Sequence, residues 1–216
     1  MNGTRMISLV GMLLAVAMAL PATALTLQPT PSDLGDFDHD SWYEWGINIA
    51  PDPDLQIVNV QLSIEGIYDM SSDMYNILYV HLLDDVPYRP VGHGGHHGGQ
   101  PSSWVTVGSD RRGHGDAFAG QGILLFTYSD LHNWHHPWSG EDLTYTFTAS
   151  DLEVLNQYWK NGGTFGFGFD PDCHYDQREI TFTCEFGPVP AVPEPATLSL
   201  LSIGLAGFAL HRRYLT

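Results

Sequence analysis

The sequence predicts an all-β domain, a two-sheet antiparallel sandwich of the jelly-roll kind with one short helix. Three observations favour this class: 23 glycines and 14 prolines among 216 residues, an aromatic content of 12%, and short runs in which apolar and polar residues alternate. Alternation with a period of two is typical of strands that bury one face, and Gly and Pro mark the turns between them. A closed barrel is the second choice, and one core is expected at this length.

Eight segments alternate in this way. The clearest is the last, because Ile180 and Phe182 fall on one face and Thr181 and Thr183 on the other. In the preceding segment, phenylalanines share one face and glycines the other, which leaves room there for a ring or a backbone to approach. The predicted strands span residues 42–49, 55–67, 75–83, 104–107, 123–128, 143–148, 164–169 and 179–186.

One helix interrupts the strands. Ser150 and Glu153 have the spacing of a capping box, which predicts that the helix begins at Ser150, and Gly162 and Gly163 end it. We expect two to three turns, docked against a sheet by the stripe formed by Leu152, Leu155 and Trp159.

The N-terminus, residues 1–24, has the pattern of a signal peptide. Arg5 precedes an apolar run over residues 6–20, and Ala22 and Ala24 give the small-residue pattern that signal peptidase cleaves. We therefore predict an N-terminal signal helix and a mature chain that begins near Leu25. A retained N-terminal anchor is the alternative.

The C-terminus, residues 191–216, has three parts. The motif Val192-Pro193-Glu194-Pro195 comes first, an uncharged apolar stretch over residues 196–210 follows, and Arg212 and Arg213 stand near the end. Such a stretch crosses a bilayer that thins locally, and the two arginines keep the end cytoplasmic. This pattern predicts a transmembrane helix rather than the alternative, a buried core helix.

The three-part tail resembles the PEP-CTERM sorting signal. The resemblance implies export by a Gram-negative bacterium that makes exopolysaccharide. It also implies a transient inner-membrane intermediate, processing near Pro193-Glu194-Pro195 by an exosortase, and delivery to the cell surface or extracellular matrix. Signal peptidase and exosortase are then the expected partners. Residues 166–174 also resemble a segment of some PEP-CTERM ectodomains, which implies no activity.

Charge limits the partners of the ectodomain, residues 25–190. It has five basic and 24 acidic residues, a formal charge of -19, and the whole chain carries -17. An anionic surface of this kind repels a phosphate backbone, which excludes nucleic acid as a partner. Anionic lipid and lipopolysaccharide surfaces are disfavoured in the same way unless divalent cations bridge the two.

The two cysteines of the ectodomain, Cys173 and Cys184, predict a disulfide, because thiols this close in sequence usually pair in an oxidising compartment. The alternative is a nucleophile formed by Cys173 with His174.

Two groups of residues are candidate metal ligands. Asp33, Asp36, Asp38 and Asp40 place alternate carboxylates in one loop, which would suit Ca²⁺, although the EF-hand pattern is absent and a solvated acidic linker is the alternative. Histidines also gather in two further segments, and their imidazole groups would suit Zn²⁺ or Cu²⁺. For both segments the alternative is a floppy solvated loop. The candidate histidines are His93, His96, His97, His132 and His136.

The motifs of a nucleophile elbow, a zinc-protease helix and a phosphate loop do not occur in the sequence. We therefore expect no enzymatic activity and no certain cofactor. The leading hypothesis is a structural or adhesive component associated with exopolysaccharide or biofilm. The alternatives are a calcium-dependent, transition-metal-dependent or carbohydrate-binding module and, less favoured, a glycoside hydrolase that uses Asp84 with Asp85 or Glu141 with Asp142.

Overall fold

A computed structural model describes residues 23–28, 34–70, 76–88, 101–110, 115–130 and 140–190. Most of these residues lie in strands, and the strands form two antiparallel sheets. The elements in chain order are β1 (Thr23–Leu27), β2 (Asp36–Phe37), β3 (Ser41–Asn48), β4 (Leu55–Asp69), β5 (Ile77–Leu83), β6 (Ser103–Ser109), β7 (Ile123–Ser129), β8 (Glu141–Thr146), α1 (Ala149–Lys160), β9 (Thr164–Pro171), β10 (Tyr175–Asp176) and β11 (Glu179–Pro188).

The long strand β4 organises the first sheet. Strand order there is β1-β11-β4-β10-β2, and β8 also pairs with β4. β10 and β11 follow one another along β4, because Tyr175 is opposite Asp69 and Glu179 is opposite Glu65. The second sheet has the order β6-β3-β9-β5-β7.

All eight predicted strands are present, and their type is confirmed. Three strands were not predicted: β1, β2 and β10. β2 and β10 have two residues each, too few for alternation to be visible. β1 begins two residues before the predicted mature N-terminus at Leu25, inside the segment assigned to the signal peptide.

The core lies between the inner faces of the two sheets. On β9 the side chains of Phe165, Phe167 and Phe169 are fully buried, as are Ile180 and Phe182 on β11. The alternation predicted for β11 is therefore confirmed.

The glycine face of β9 receives a ring and a backbone, as its sequence predicted. A Cβ atom at Gly168 would lie 2.9 Å from the Phe118 ring, and one at Gly166 would lie 2.3 Å from the carbonyl oxygen of Trp45. Both faces of β9 are therefore covered, which explains why the strand is buried almost throughout.

The helix is present, but it begins earlier than predicted. Its N-cap is Thr148, whose side-chain oxygen accepts a hydrogen bond from the Asp151 amide while the Asp151 carboxylate accepts one from the Thr148 amide. Thr148 and Asp151 thus form the capping box instead of Ser150 and Glu153. The two pairs have the same spacing of three residues, and the pair that is used lies two residues upstream.

The structure contradicts the predicted disulfide between Cys173 and Cys184, which are not bonded to each other. The explanation is that the two cysteines lie beside distant parts of β4. Tyr175, two residues from Cys173, is opposite Asp69, whereas Cys184 is opposite Val60. Nine residues of strand correspond to about 30 Å, and two residues of chain recover at most ~7 Å, whereas a disulfide joins Cα atoms about 4.4–6.8 Å apart.

The predicted signal helix and transmembrane sorting helix lie outside the described residues, apart from Thr23 and Ala24 in β1. Within the described ranges, no helix combines the length and apolar character that a membrane crossing requires.

Candidate functional site

Two short strands create a cluster of acidic and histidine side chains at one end of the first sheet. β2 pairs with β10 so that Phe37 is opposite Tyr175. The antiparallel register continues outward by one residue on each strand, which places Asp38 beside His174. Residues that are far apart in the sequence therefore meet at this end of the sandwich.

The cluster consists of Asp36, Asp38, His39, Asp40 and His174. The Nε2 atom of His174 lies 3.1 Å from Oδ1 of Asp36. The Nδ1 atom of His39 lies 3.4 Å from Oδ1 of Asp38, and its Nε2 atom lies 3.8 Å from Oδ1 of Asp40. One ligand atom from each of Asp38, His39 and His174 falls within 4.8 Å of the other two.

Backbone contacts hold both halves of the cluster. The Tyr43 hydroxyl accepts a hydrogen bond from the Asp38 amide at 2.8 Å and donates one to the Asp36 carbonyl at 3.1 Å. On the other side, the carbonyl of His174 accepts a hydrogen bond from the Met70 amide at the end of β4. The side chains extend from an anchored backbone and remain accessible, with His174 35% and Asp38 46% exposed.

This geometry changes the chemistry expected for the acidic segment. The sequence predicted a cluster of carboxylates alone, which would favour Ca²⁺ through oxygen ligands. The structure adds two imidazoles, and nitrogen donors are characteristic of sites for Zn²⁺ and related transition metals. Among the described aspartates, Asp38 belongs to the group whose ligand atoms lie within 4.8 Å of one another, whereas Asp36 and Asp40 each lie beside one of its histidines. Metal binding by these aspartates stays a prediction.

A second acidic group lies at the end of β9. Asp170 is 1% exposed, and its Oδ2 atom accepts a hydrogen bond from the Ala117 amide at 2.6 Å. Burial raises the pKa of the Asp170 carboxyl to about 7, and the negative charges of the neighbouring acids Asp110, Asp172 and Asp116 act in the same direction. The Ala117 hydrogen bond opposes this shift.

The segment over Asp170 is secured by further carboxylates. Asp172 accepts a hydrogen bond from the Gly115 amide at 2.8 Å, and Asp116 lies 3.0 Å from Nε2 of the buried His81. These contacts hold residues 115–118 against the sheet, so the role of this acidic group is structural. Neither His81 nor Asp116 was among the predicted site residues.

One of the acid pairs considered for glycoside hydrolysis, Glu141 with Asp142, makes contacts within the sandwich. Glu141 accepts a hydrogen bond from the Tyr128 hydroxyl at 2.9 Å. Asp142 accepts one from the Gly66 amide at 2.8 Å and one from Arg178 at 3.0 Å. Both side chains thus connect β8 to neighbouring elements of the sandwich.

Several predicted site residues fall outside the described residues: Ala22, Asp33, His93, His96, His97, His132, His136, Val192, Pro193, Glu194, Pro195, Arg212 and Arg213. Metal binding by the histidine-rich loops stays a prediction. The sequence approach missed His39 and His174 as companions of the aspartates. His39 lay inside the acidic run and was a detectable signal, whereas nothing local connected His174 with that run.

Comparison with known proteins bears on the C-terminal tail. Residues 191–213 match the family model of the PEP-CTERM protein-sorting motif. Searches of the curated proteins and of the solved structures found no match to this chain. The motif supports processing by an exosortase and sorting of the protein to the cell surface. The resemblance predicted from the sequence is confirmed: the C-terminus of this chain carries the PEP-CTERM protein-sorting motif.

Proposed function

We propose that this protein works outside the cell as a non-catalytic structural or adhesive component associated with exopolysaccharide or biofilm. The observation that carries the proposal is the PEP-CTERM match at residues 191–213, which follows an exported domain of strongly acidic character. The motif supports delivery to the surface, and the ectodomain would then meet the polysaccharide that surrounds the producing cell.

The charge of the ectodomain determines how it would associate with such a matrix. With 24 acidic and five basic residues in positions 25–190, it repels acidic polysaccharide at long range. Divalent cations such as Ca²⁺ would remove this repulsion by bridging carboxylates on both partners. We therefore expect matrix association to depend on divalent cations and to weaken when they are chelated.

The test is co-sedimentation of the full chain, purified in detergent, with exopolysaccharide from its own host. We expect retention of the protein in the pellet with Ca²⁺ and release by EDTA. A deletion strain should also lose matrix cohesion or surface adhesion. Protein that stays in the supernatant in every ionic condition, together with an unaltered deletion strain, would contradict the matrix function.

A second candidate function is cation-dependent carbohydrate binding at the acidic and histidine cluster, favoured by the approach of Asp38, His39 and His174. The path of the chain also supports a jelly-roll topology, a class that includes lectin domains. It crosses between the two sheets from β3 to β4 to β5, and again from β7 to β8 to β9 to β11.

A matched pair of variants separates the two functions. Asp38 and Asp52 each accept a hydrogen bond from the amide two residues later, at 3.2 and 2.9 Å. Replacing Asp38 and Asp40 by Asn removes two charges from the cluster, and replacing Asp52 and Asp54 by Asn removes two elsewhere. Equal effects on polysaccharide retention indicate bulk charge, and loss in the first variant alone indicates a specific site.

A further inference from the structure

We propose that Asp38, His39 and His174 form a binding site for a transition metal ion of the Zn²⁺ class. The site joins the β2–β3 turn to the residue that precedes β10. It uses the acidic segment considered above, but it does not depend on the proposed matrix function, because metal binding is a property of the isolated protein.

The donor set favours a transition metal over Ca²⁺. Two imidazoles and one carboxylate are three of the four ligands of a common Zn²⁺ arrangement, in which water or another ligand takes the remaining position. Ca²⁺ prefers six to eight oxygen atoms, and neutral imidazole is a poor substitute for them. The presence of both His39 and His174 within 4.8 Å of Asp38 therefore points away from the calcium site that the acidic run alone predicted.

The distances allow the site to close by side-chain rotation. Ligand atoms around a tetrahedral Zn²⁺, each about 2.0–2.2 Å from the ion, lie about 3.3 Å apart. Atoms within 4.8 Å of one another must therefore move by about 1.5 Å at most. The side chains are exposed by roughly a third to a half, so no packed core has to be rearranged.

The remaining carboxylates occupy the positions expected of supporting groups. A histidine that binds a metal usually directs its other ring nitrogen to a carboxylate, which fixes the ring orientation and strengthens the ligand. The two ring nitrogens of His39 face Asp38 and Asp40, at 3.4 and 3.8 Å. Asp36 lies 3.1 Å from Nε2 of His174.

The backbone on both sides of the site is already held. Tyr43 fixes the carbonyl of Asp36 and the amide of Asp38, and Met70 fixes the carbonyl of His174. An ion would therefore bind to a formed framework, and it would cross-link two short strands that carry only two residue pairs between them.

The experiment is isothermal titration calorimetry. The full chain, in detergent and stripped of metal, is titrated with Zn²⁺ and separately with Ca²⁺. We expect His174→Gln and His39→Gln each to weaken the Zn²⁺ site by about 100-fold or more, and Asp36→Asn to weaken it by about tenfold as a supporting group. Asp52→Asn, which alters a similar exposed turn, should leave the affinity unchanged.

Two controls make the result specific. A variant with His93, His96 and His97 all replaced by Gln tests the glycine-rich loop and should retain the Zn²⁺ site. Co²⁺ absorption gives a second readout, because tetrahedral nitrogen and oxygen ligation produces visible bands that should disappear in His39→Gln. Circular dichroism without metal establishes that each variant is folded.

Three outcomes would overturn the proposal: no Zn²⁺ binding by the wild-type chain, unchanged binding in both histidine variants, or Ca²⁺ affinity equal to Zn²⁺ affinity through the same residues. Failure of the matrix function is separately visible in co-sedimentation. Zn²⁺ binding without polysaccharide retention would leave the metal site intact and remove only the matrix function.

Discussion

Asp170→Asn should make the protein more stable at neutral and alkaline pH. The Asp170 carboxyl is 1% exposed, and burial raises its pKa from 3.8 to about 7. The folded state therefore binds this proton more tightly than the unfolded chain does. The stabilisation is complete below pH 3.8 and is lost as pH rises through about 7. Asparagine does not ionise, and its amide oxygen still accepts the hydrogen bond from Ala117.

The size of the effect follows from the pKa shift. One pKa unit corresponds to about 1.4 kcal/mol, so a shift of about three units gives about 4 kcal/mol as an upper limit. The free energies of unfolding of wild type and Asp170→Asn should be measured in urea from pH 4 to 8, with EDTA present. Their difference should move by up to about 4 kcal/mol in favour of the variant as pH rises. A difference that is constant across this range would refute the reasoning.

Three further outcomes are expected. Gly166→Ala should destabilise the fold by about 1–3 kcal/mol in urea unfolding, because its Cβ would lie 2.3 Å from a backbone oxygen, whereas Gly162→Ala, which meets nothing within 4 Å, should change stability by less than about 0.5 kcal/mol. Cys173 and Cys184 should both react with a thiol reagent in denaturant without reductant, and dithiothreitol should leave the melting temperature unchanged; a lower melting temperature would indicate a disulfide. Thr148→Ala should cost about 1 kcal/mol by removing the cap of α1, and an unchanged unfolding midpoint would argue against that cap.

The sandwich was predictable because its long strands carry their own signal. Burial of one face imposes a period of two, so the alternation along β11 indicated both the strand and its inward side chains. The glycines opposite the phenylalanines of β9 likewise indicated a close approach, and Phe118 makes it. The predicted helix start was wrong by two residues, because Thr148 with Asp151 has the same three-residue spacing as Ser150 with Glu153 and forms the capping box in its place.

The disulfide prediction failed for a different reason. It used separation in sequence as a substitute for separation in space, and ten intervening residues are enough to reach the far end of a strand when the chain runs straight. Cys184 lies in the middle of β11, opposite Val60, whereas Cys173 precedes β10 near the end of β4. Only the register of the two strands against β4 contains this information, and register depends on pairing between distant segments.

The candidate metal site was also only partly predictable from local sequence. Its acidic half was visible in the sequence because the aspartates are close together, but a carboxylate run alone does not distinguish a solvated turn from a ligand set. The second half, His174, reaches the cluster only because Phe37 pairs with Tyr175, a contact between strands of two residues that no local pattern predicts. The metal affinity of the site should therefore depend on the pairing of β2 with β10. Weakening this pairing should lower metal affinity even when every ligand is retained, because the ion would then have to order the two segments as it binds.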